Sequence, residues 1–158
     1  MMGLISPTSL AVLGGALALA GGFAGSSLGI GIAASAGAAT LAEDRGQFRN
    51  VMVLATLPMT QTFYALIVLI LIITGVVPKL PETGGSGFAV LGIGLITASA
   101  EFFSAWQQGV ICASGISLLP KTRGAIFTQS VLLAVLVELL GVLGLVFAIM
   151  SLTMLGLM

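Results

Sequence analysis

Histidine is absent from this sequence, and cysteine, tryptophan and tyrosine occur once each, at Cys112, Trp106 and Tyr64. No His/Cys metal cluster and no intramolecular disulfide can be built from that inventory, and Cys112, inside an apolar segment, reads as a small packing residue. Charge is almost as scarce. Five Lys or Arg and five Asp or Glu make up 6% of the 158 residues, against about 25% in soluble domains, which excludes an ordinary soluble chain. No Gly-rich GxxxxGK[ST] loop is present to cradle phosphates. No catalytic activity of the chain alone, no organic cofactor and no nucleic-acid partner are therefore expected. No basic residue precedes the first apolar run, so the n-region of a signal peptide is missing and the first segment is expected to be a retained helix.

What remains is apolar: 58% of the chain is hydrophobic. Four stretches, 9–42, 51–77, 88–119 and 125–157, exceed the roughly 18 apolar residues that mark a transmembrane helix. The fold class is thus an all-α membrane protein with four transmembrane helices. Arg45 and Arg49 lie between the first two, Lys121 and Arg123 between the last two, and the middle loop has Lys79 offset by Glu82. Basic loops stay on the cytoplasmic side, so loops 1–2 and 3–4 are expected in the cytoplasm and both termini outside.

The chain repeats itself. AVLG occurs at 11–14 and at 89–92, an offset of 78 that also pairs Gly31 with Gly109, Gly37 with Gly115 and Leu41 with Leu119. It also pairs Arg45-Gly46 with Arg123-Gly124 and Val53-Leu54 with Val131-Leu132. One gapless register across helix, turn and helix indicates two tandem duplicated helical hairpins, 1–80 and 81–158, in parallel rather than inverted repeat. At that offset Glu138 pairs with Thr60, so only one half carries an acid at this depth. Gly21, Gly25, Gly29, Ala33 and Gly37 recur every fourth residue in the first segment, a small-residue stripe that lets a second helix backbone approach. Thr97, Ala105, Gly109 and Ala113 form a weaker one in the third.

Glu138 sits alone in the run AVLVELLGVLG. An ionisable residue inside a membrane costs about 2.5–3.5 kcal/mol on insertion scales and marks a functional site by default. With the basic turns as rulers, Glu138 is 15 residues after Arg123, Gln61 is 16 after Arg45 and Gln108 is 15 before Arg123. At about 1.5 Å per residue, all three lie roughly 22–24 Å from the turns. The segment LPMTQTFY at 57–64 adds the Thr60 hydroxyl and the Gln61 amide. Pro58 there frees the carbonyl of Leu54 and can expose that of Leu57. Tyr64, one turn beyond Gln61, is within reach of the carboxylate. A carboxylate, two amide oxygens, a hydroxyl and a carbonyl form an all-oxygen set of the kind hard cations prefer, and one negative charge balances a monovalent ion such as Na⁺. Two plainer readings stand beside it: glutamines as interhelical glue, and a proton as the ion, which needs only the carboxyl.

The LPxTQ segment of the second helix, the FSxxxQG-like segment 103–109 of the third and the VE of the fourth resemble the four-helix membrane rotor proteolipid, the K or c subunit, of V-type and A-type ATPases. The sodium-translocating bacterial members are the most similar. The likeness covers essentially the whole chain. It implies a closed ring of identical subunits, with helices 1 and 3 inside and helices 2 and 4 outside. It implies Na⁺ bound by the Leu57 carbonyl, Thr60, Gln61, Gln108 and Glu138, with Tyr64 gating the carboxylate. A stator subunit would supply an arginine, central-stalk subunits would contact the turns 43–50 and 120–124, and ATP would be turned over on other subunits. A prokaryotic plasma membrane is the implied location. Met59, Trp106-Gln107 and Glu101 depart from the pattern. Glu101 lies seven residues before Gln108 on the small-residue stripe, and a neutral or lumen-facing carboxyl is expected there. A small antiporter and a proteolipid pore without an ATPase are the competing classes.

Overall fold

The computed structural model describes residues 6–158. Four helices long and apolar enough to cross a membrane follow one another: α1 (Pro7–Glu43), α2 (Arg45–Lys79), α3 (Ser86–Thr122) and α4 (Phe127–Met154). Each end has a local cause. Ser6 caps α1 by accepting the Ser9 backbone N–H at 3.1 Å, and Pro7 occupies the first turn, where its missing N–H is not needed. Asp44 closes α1 with its backbone N–H on the Thr40 carbonyl at 2.8 Å and opens α2 by accepting the Gly46 N–H at 2.9 Å.

The observed helices extend beyond the apolar runs where chain ends are capped and stop short where glycine intervenes. Helix α2 begins at Arg45 rather than residue 51 because the Asp44 cap nucleates it ahead of the apolar stretch. Helix α3 runs to Thr122, past the expected end at 119, with Pro120 in its last turn. A proline there removes the hydrogen bond to the carbonyl four residues back. That carbonyl, of Ile116, accepts instead from the Thr40 hydroxyl at 3.0 Å, tying α3 to α1. Helix α4 starts at Phe127, two residues later than the sequence indicates, after a tight turn through Arg123 and Gly124, both at positive φ. It ends at Met154 rather than 157 because Gly156 takes φ 66° and the Leu157 N–H returns to the Leu152 carbonyl at 3.0 Å, a Schellman-type stop.

Helix α2 is not uniform. It tightens to a 3₁₀ turn at Leu57–Met59, around Pro58, and widens to a π turn at Ile72–Val76 before a second 3₁₀ turn at Val77–Lys79. Local departures of this kind are frequent near functional sites.

Helix α1 packs along α3 through the expected glycines. A methyl group on Gly21 would stand 2.5 Å from the Ala98 carbonyl oxygen, and one on Gly25 would stand 2.5 Å from that of Phe102. The two backbones are therefore in direct contact, and the stripe is an interface within the chain. Helices α2 and α4 flank this pair and turn leucine, isoleucine and phenylalanine outward; Leu132 and Leu136 of α4 are each 62% exposed. The apolar interior falls into two clusters. One, toward the 43–50 and 120–124 turns, includes Ala33, Val51, Leu54, Cys112, Ile116, Leu119 and Ala134. The other, toward the opposite end, includes Ala11, Ala18, Val68, Ile72, Val90, Ala148 and Leu152. The polar side chains singled out on α2, α3 and α4 lie between these two clusters.

Candidate functional site

The polar layer is built from three helices. Pro58 sets the 3₁₀ turn in α2, and the Leu57 carbonyl accepts the Thr60 backbone N–H and lies 3.1 Å from the Thr60 hydroxyl. That hydroxyl is also 3.1 Å from Gln61 Oε1. Gln61, fully buried, donates both amide hydrogens to α3, one to Gln108 Oε1 and one to Ser104 Oγ, each at 3.0 Å. Gln108, also fully buried, donates to Glu138 Oε2 at 3.2 Å and approaches the Ala134 carbonyl at 3.4 Å. Tyr64, one turn beyond Gln61, donates its hydroxyl to Glu138 Oε1 at 3.0 Å.

Glu138 therefore has a donor on each carboxylate oxygen, one from α2 and one from α3, while remaining only partly buried on α4. Hydrogen bonds to a charged acceptor contribute about 1.5–3 kcal/mol each, comparable to the insertion penalty of the carboxylate itself. All of the residues singled out from the sequence (Leu57, Thr60, Gln61, Tyr64, Gln108 and Glu138) fall into one connected network. The depth estimate from the turns concerned Gln61, Gln108 and Glu138; Leu57, Thr60 and Tyr64 came from the segment 57–64. Of the two carbonyls that Pro58 left open, it is Leu57's that joins the network.

Ser104 was not singled out in the sequence. It accepts from Gln61 and donates to the Val137 carbonyl at 2.9 Å, bridging α2, α3 and α4 one turn from Gln108. Its signal was available: Ser104 is four residues before Gln108 on the same face, and its repeat counterpart is Ser26.

Of the two expectations for Glu101, a lumen-facing carboxyl does not hold: its side chain is fully buried inside the chain. Its carboxyl lies against Gly141 and Gly144 of α4, where a methyl group would stand 2.8 Å from Glu101 Oε2 and 3.2 Å from Oε1, respectively. The missing side chains of two α4 glycines make the room the carboxyl occupies.

The turns 43–50 and 120–124 lie side by side at one end. A methyl on Gly124 would stand 3.1 Å from Gln47 Oε1 and 3.2 Å from Asn50 Nδ2. The Gln47 side chain is itself fixed by Asp44 at 3.0 Å and by Asn50 at 2.9 Å. Arg45, Arg49, Lys121 and Arg123 are thereby gathered on this one end of the bundle.

Comparison with known proteins bears on both fold and site. The model of the ATP synthase C-subunit family matches twice, at residues 13–72 and 91–151, one match per hairpin. The chain is 36% identical over 151 residues to the A-type ATP synthase subunit K of Methanocaldococcus jannaschii, covering 95% of this chain and 65% of that protein. It is 31% identical over 122 residues to the V-type sodium ATPase subunit K of Enterococcus hirae, covering 77% of this chain and 76% of that one. The chain thus spans about two-thirds of the length of the first relative and three-quarters of the second.

Proposed function

Because the chain belongs to the ATP synthase C-subunit family, a family of membrane proteins, we propose that it is the ion-carrying rotor subunit of a V- or A-type ATPase and that its cargo is Na⁺. The single observation that carries the reading is the Glu138 carboxylate held by Tyr64 and Gln108, with Gln108 linked through Gln61 to the Thr60 hydroxyl and the Leu57 carbonyl. The name of the Enterococcus hirae relative, a sodium ATPase subunit, supports Na⁺.

The residues divide the work as follows. Glu138 supplies the charge. Gln108 donates an amide hydrogen to it, and its Oε1, which accepts from Gln61, is the amide oxygen it would offer a cation. Gln61 Oε1 and Thr60 Oγ1 supply two more oxygens, and the Leu57 carbonyl a third. Tyr64 holds the opposite carboxylate oxygen and acts as a gate, because its O–H must part from Glu138 before the carboxylate can swing outward. With a cation bound the site is neutral and can pass the lipid-facing arc of a rotating ring. With the cation gone the carboxylate needs a positive partner. No Lys or Arg of this chain lies near it in sequence, so an arginine of a stator subunit fills that role. Identical copies close the ring through the apolar faces of α2 and α4 and the exposed face of α1. Central-stalk subunits engage the paired turns at 43–50 and 120–124 on the cytoplasmic side, in a prokaryotic plasma membrane, and ATP is hydrolysed or made on other subunits.

The test is carbodiimide labelling of the purified protein in lipid, titrated with NaCl at fixed pH and ionic strength. The reagent modifies protonated carboxyls, so Na⁺ on Glu138 protects it and K⁺ does not. Gln61→Ala and Gln108→Ala should each weaken protection roughly 10–100-fold, the worth of a hydrogen-bonding partner to a charged group. A proton and Na⁺ compete for the same oxygens, so more Na⁺ is needed as pH falls. Labelling that follows pH and ignores Na⁺ would make the cargo a proton.

A further inference from the structure

Ser104 uses its hydroxyl differently from Ser99, Ser114 and Ser117 of the same helix. Those three return theirs to the carbonyl four residues back, at 3.0, 3.0 and 2.9 Å, a common bond of a serine inside a helix. Ser104 reaches out of its own helix. Buried in the bundle, it donates to the Val137 carbonyl of α4 at 2.9 Å and accepts from Gln61 Nε2 of α2 at 3.0 Å. Glu101, three residues before it, does not compete for the hydroxyl hydrogen, since neither of its carboxyl oxygens has a hydrogen-bond partner among the described residues.

The direction of these two bonds fixes the Gln61 amide. A carbonyl can only accept, so the single hydroxyl hydrogen of Ser104 is committed to Val137 and only lone pairs face Gln61. The end of the amide that meets Ser104 must therefore be its nitrogen. The oxygen lies on the other branch, 3.1 Å from the Thr60 hydroxyl. Turned by 180°, the fully buried amide would set its oxygen against the Ser104 lone pairs and lose a bond there, a costly arrangement away from water. Its stem is also closely packed, with a methyl position on Gly141 only 3.1 Å from Gln61 Cγ. Gln108 Oε1 is the second acceptor for Gln61, at 3.0 Å, but it is not a constant one. The Gln108 amide is oriented by Glu138, and its oxygen is the one it would offer a cation. The Val137 carbonyl that orients Ser104 is main chain, and no cargo changes its polarity.

We propose that Ser104 is a positioning residue: anchored on Val137, it holds the Gln61 amide with Nε2 toward α3 and Oε1 toward Thr60, whether the site is empty or loaded. The oxygen is then in place before a cation arrives, and binding does not have to turn it. Ser104 acts through Gln61 and needs no contact with the cargo. The orientation stands on the hydrogen bonds alone. Its consequence for Na⁺ affinity rests on the cargo reading above, and the experiment below separates the two.

The experiment has two arms. The first is solid-state NMR of the intact protein in lipid, with glutamine, serine and threonine isotope-labelled and Gln61 assigned from the Thr60–Gln61–Thr62 run. The Gln61 amide protons should show a through-space contact to the Ser104 Cβ protons, both without Na⁺ and at saturating NaCl. A contact that lies on Thr60 instead, or moves there when NaCl is added, overturns the proposal. The second arm is ²²Na⁺ binding by the wild type, Ser104→Ala, Gln61→Ala and the double variant. Ser104→Ala should weaken binding about 2–10-fold, the range of a neutral hydrogen bond. In the Gln61→Ala background it should cost nothing further, because no amide is left to orient. Losses that add in the double variant would make Ser104 a packing residue and overturn the proposal. A wild type that binds no Na⁺ removes the cargo reading, and the NMR contact, read on the wild type, then decides Ser104 by itself. It also decides if a variant fails to assemble.

Discussion

At matching positions the two hairpins carry different chemistry on the same frame. Ser26 and Ser104 are repeat counterparts, and each holds its hairpin together. Ser26 meets the Thr62 hydroxyl at 2.8 Å, and Ser104 meets Gln61 and the Val137 carbonyl. Around them the halves diverge. The second hairpin has Glu101, Gln108, Gly141 and Gly144 where the first has Phe23, Ile30, Phe63 and Leu66. In the first hairpin those four line an open apolar hollow of about 630 Å³ between α1 and α2. In the second, the same positions hold the carboxyl and amide of the polar layer and the glycines that make room for them. The two halves share the helical hairpin, and only the second carries acids at these positions. The remaining site then borrows Thr60, Gln61 and Tyr64 from the first hairpin, so neither half contains it alone.

That division can be broken experimentally, and the largest effect belongs to the acid. Glu138→Gln should abolish measurable ²²Na⁺ binding by the purified protein, because no other charge remains for the cation. Its counterpart change, Thr60→Val, removes one neutral oxygen and should weaken binding roughly 2–10-fold, the range of a neutral hydrogen-bonding group. Equal losses from both would mean the halves contribute alike.

The frame itself can be tested at the contact that both halves share. Gly25→Val places atoms against the Phe102 carbonyl oxygen, where even a methyl stands at 2.5 Å. Overpacking of this kind destabilises by about 1–3 kcal/mol or more, read as a lower midpoint in detergent or thermal unfolding. An unchanged midpoint would show that α1 and α3 do not need close approach.

A last test sharpens the asymmetry on the outer face. Tyr64→Phe removes one of the two bonds to Glu138, while its repeat counterpart Val142 makes none to lose. Ion release, followed by isotope exchange, should accelerate roughly tenfold, the lower end of what a hydrogen bond to a charged group is worth. Unchanged exchange would remove Tyr64 from the gate.

Four apolar runs, an offset of 78 and one glutamate in a leucine-rich helix were enough to give the helix count, the repeated hairpin and the common level of Gln61, Gln108 and Glu138 along their helices. Those properties follow from length, hydropathy and the fixed rise of a helix, which are local. Helix ends were less legible, since Asp44, Pro120 and Gly156 act through caps and turns that hydropathy does not register. Which way a side chain points around its helix is not local at all. Sequence alone left Glu101 neutral or lumen-facing, and gave Ser104 a place in a motif but no role. Only the packing of α3 against Gly141 and Gly144 turned the carboxyl inward, and only the convergence of α2, α3 and α4 made Ser104 a bridge. Burial and hydrogen-bond partners depend on three helices at once, and no single stretch of the chain carries that information.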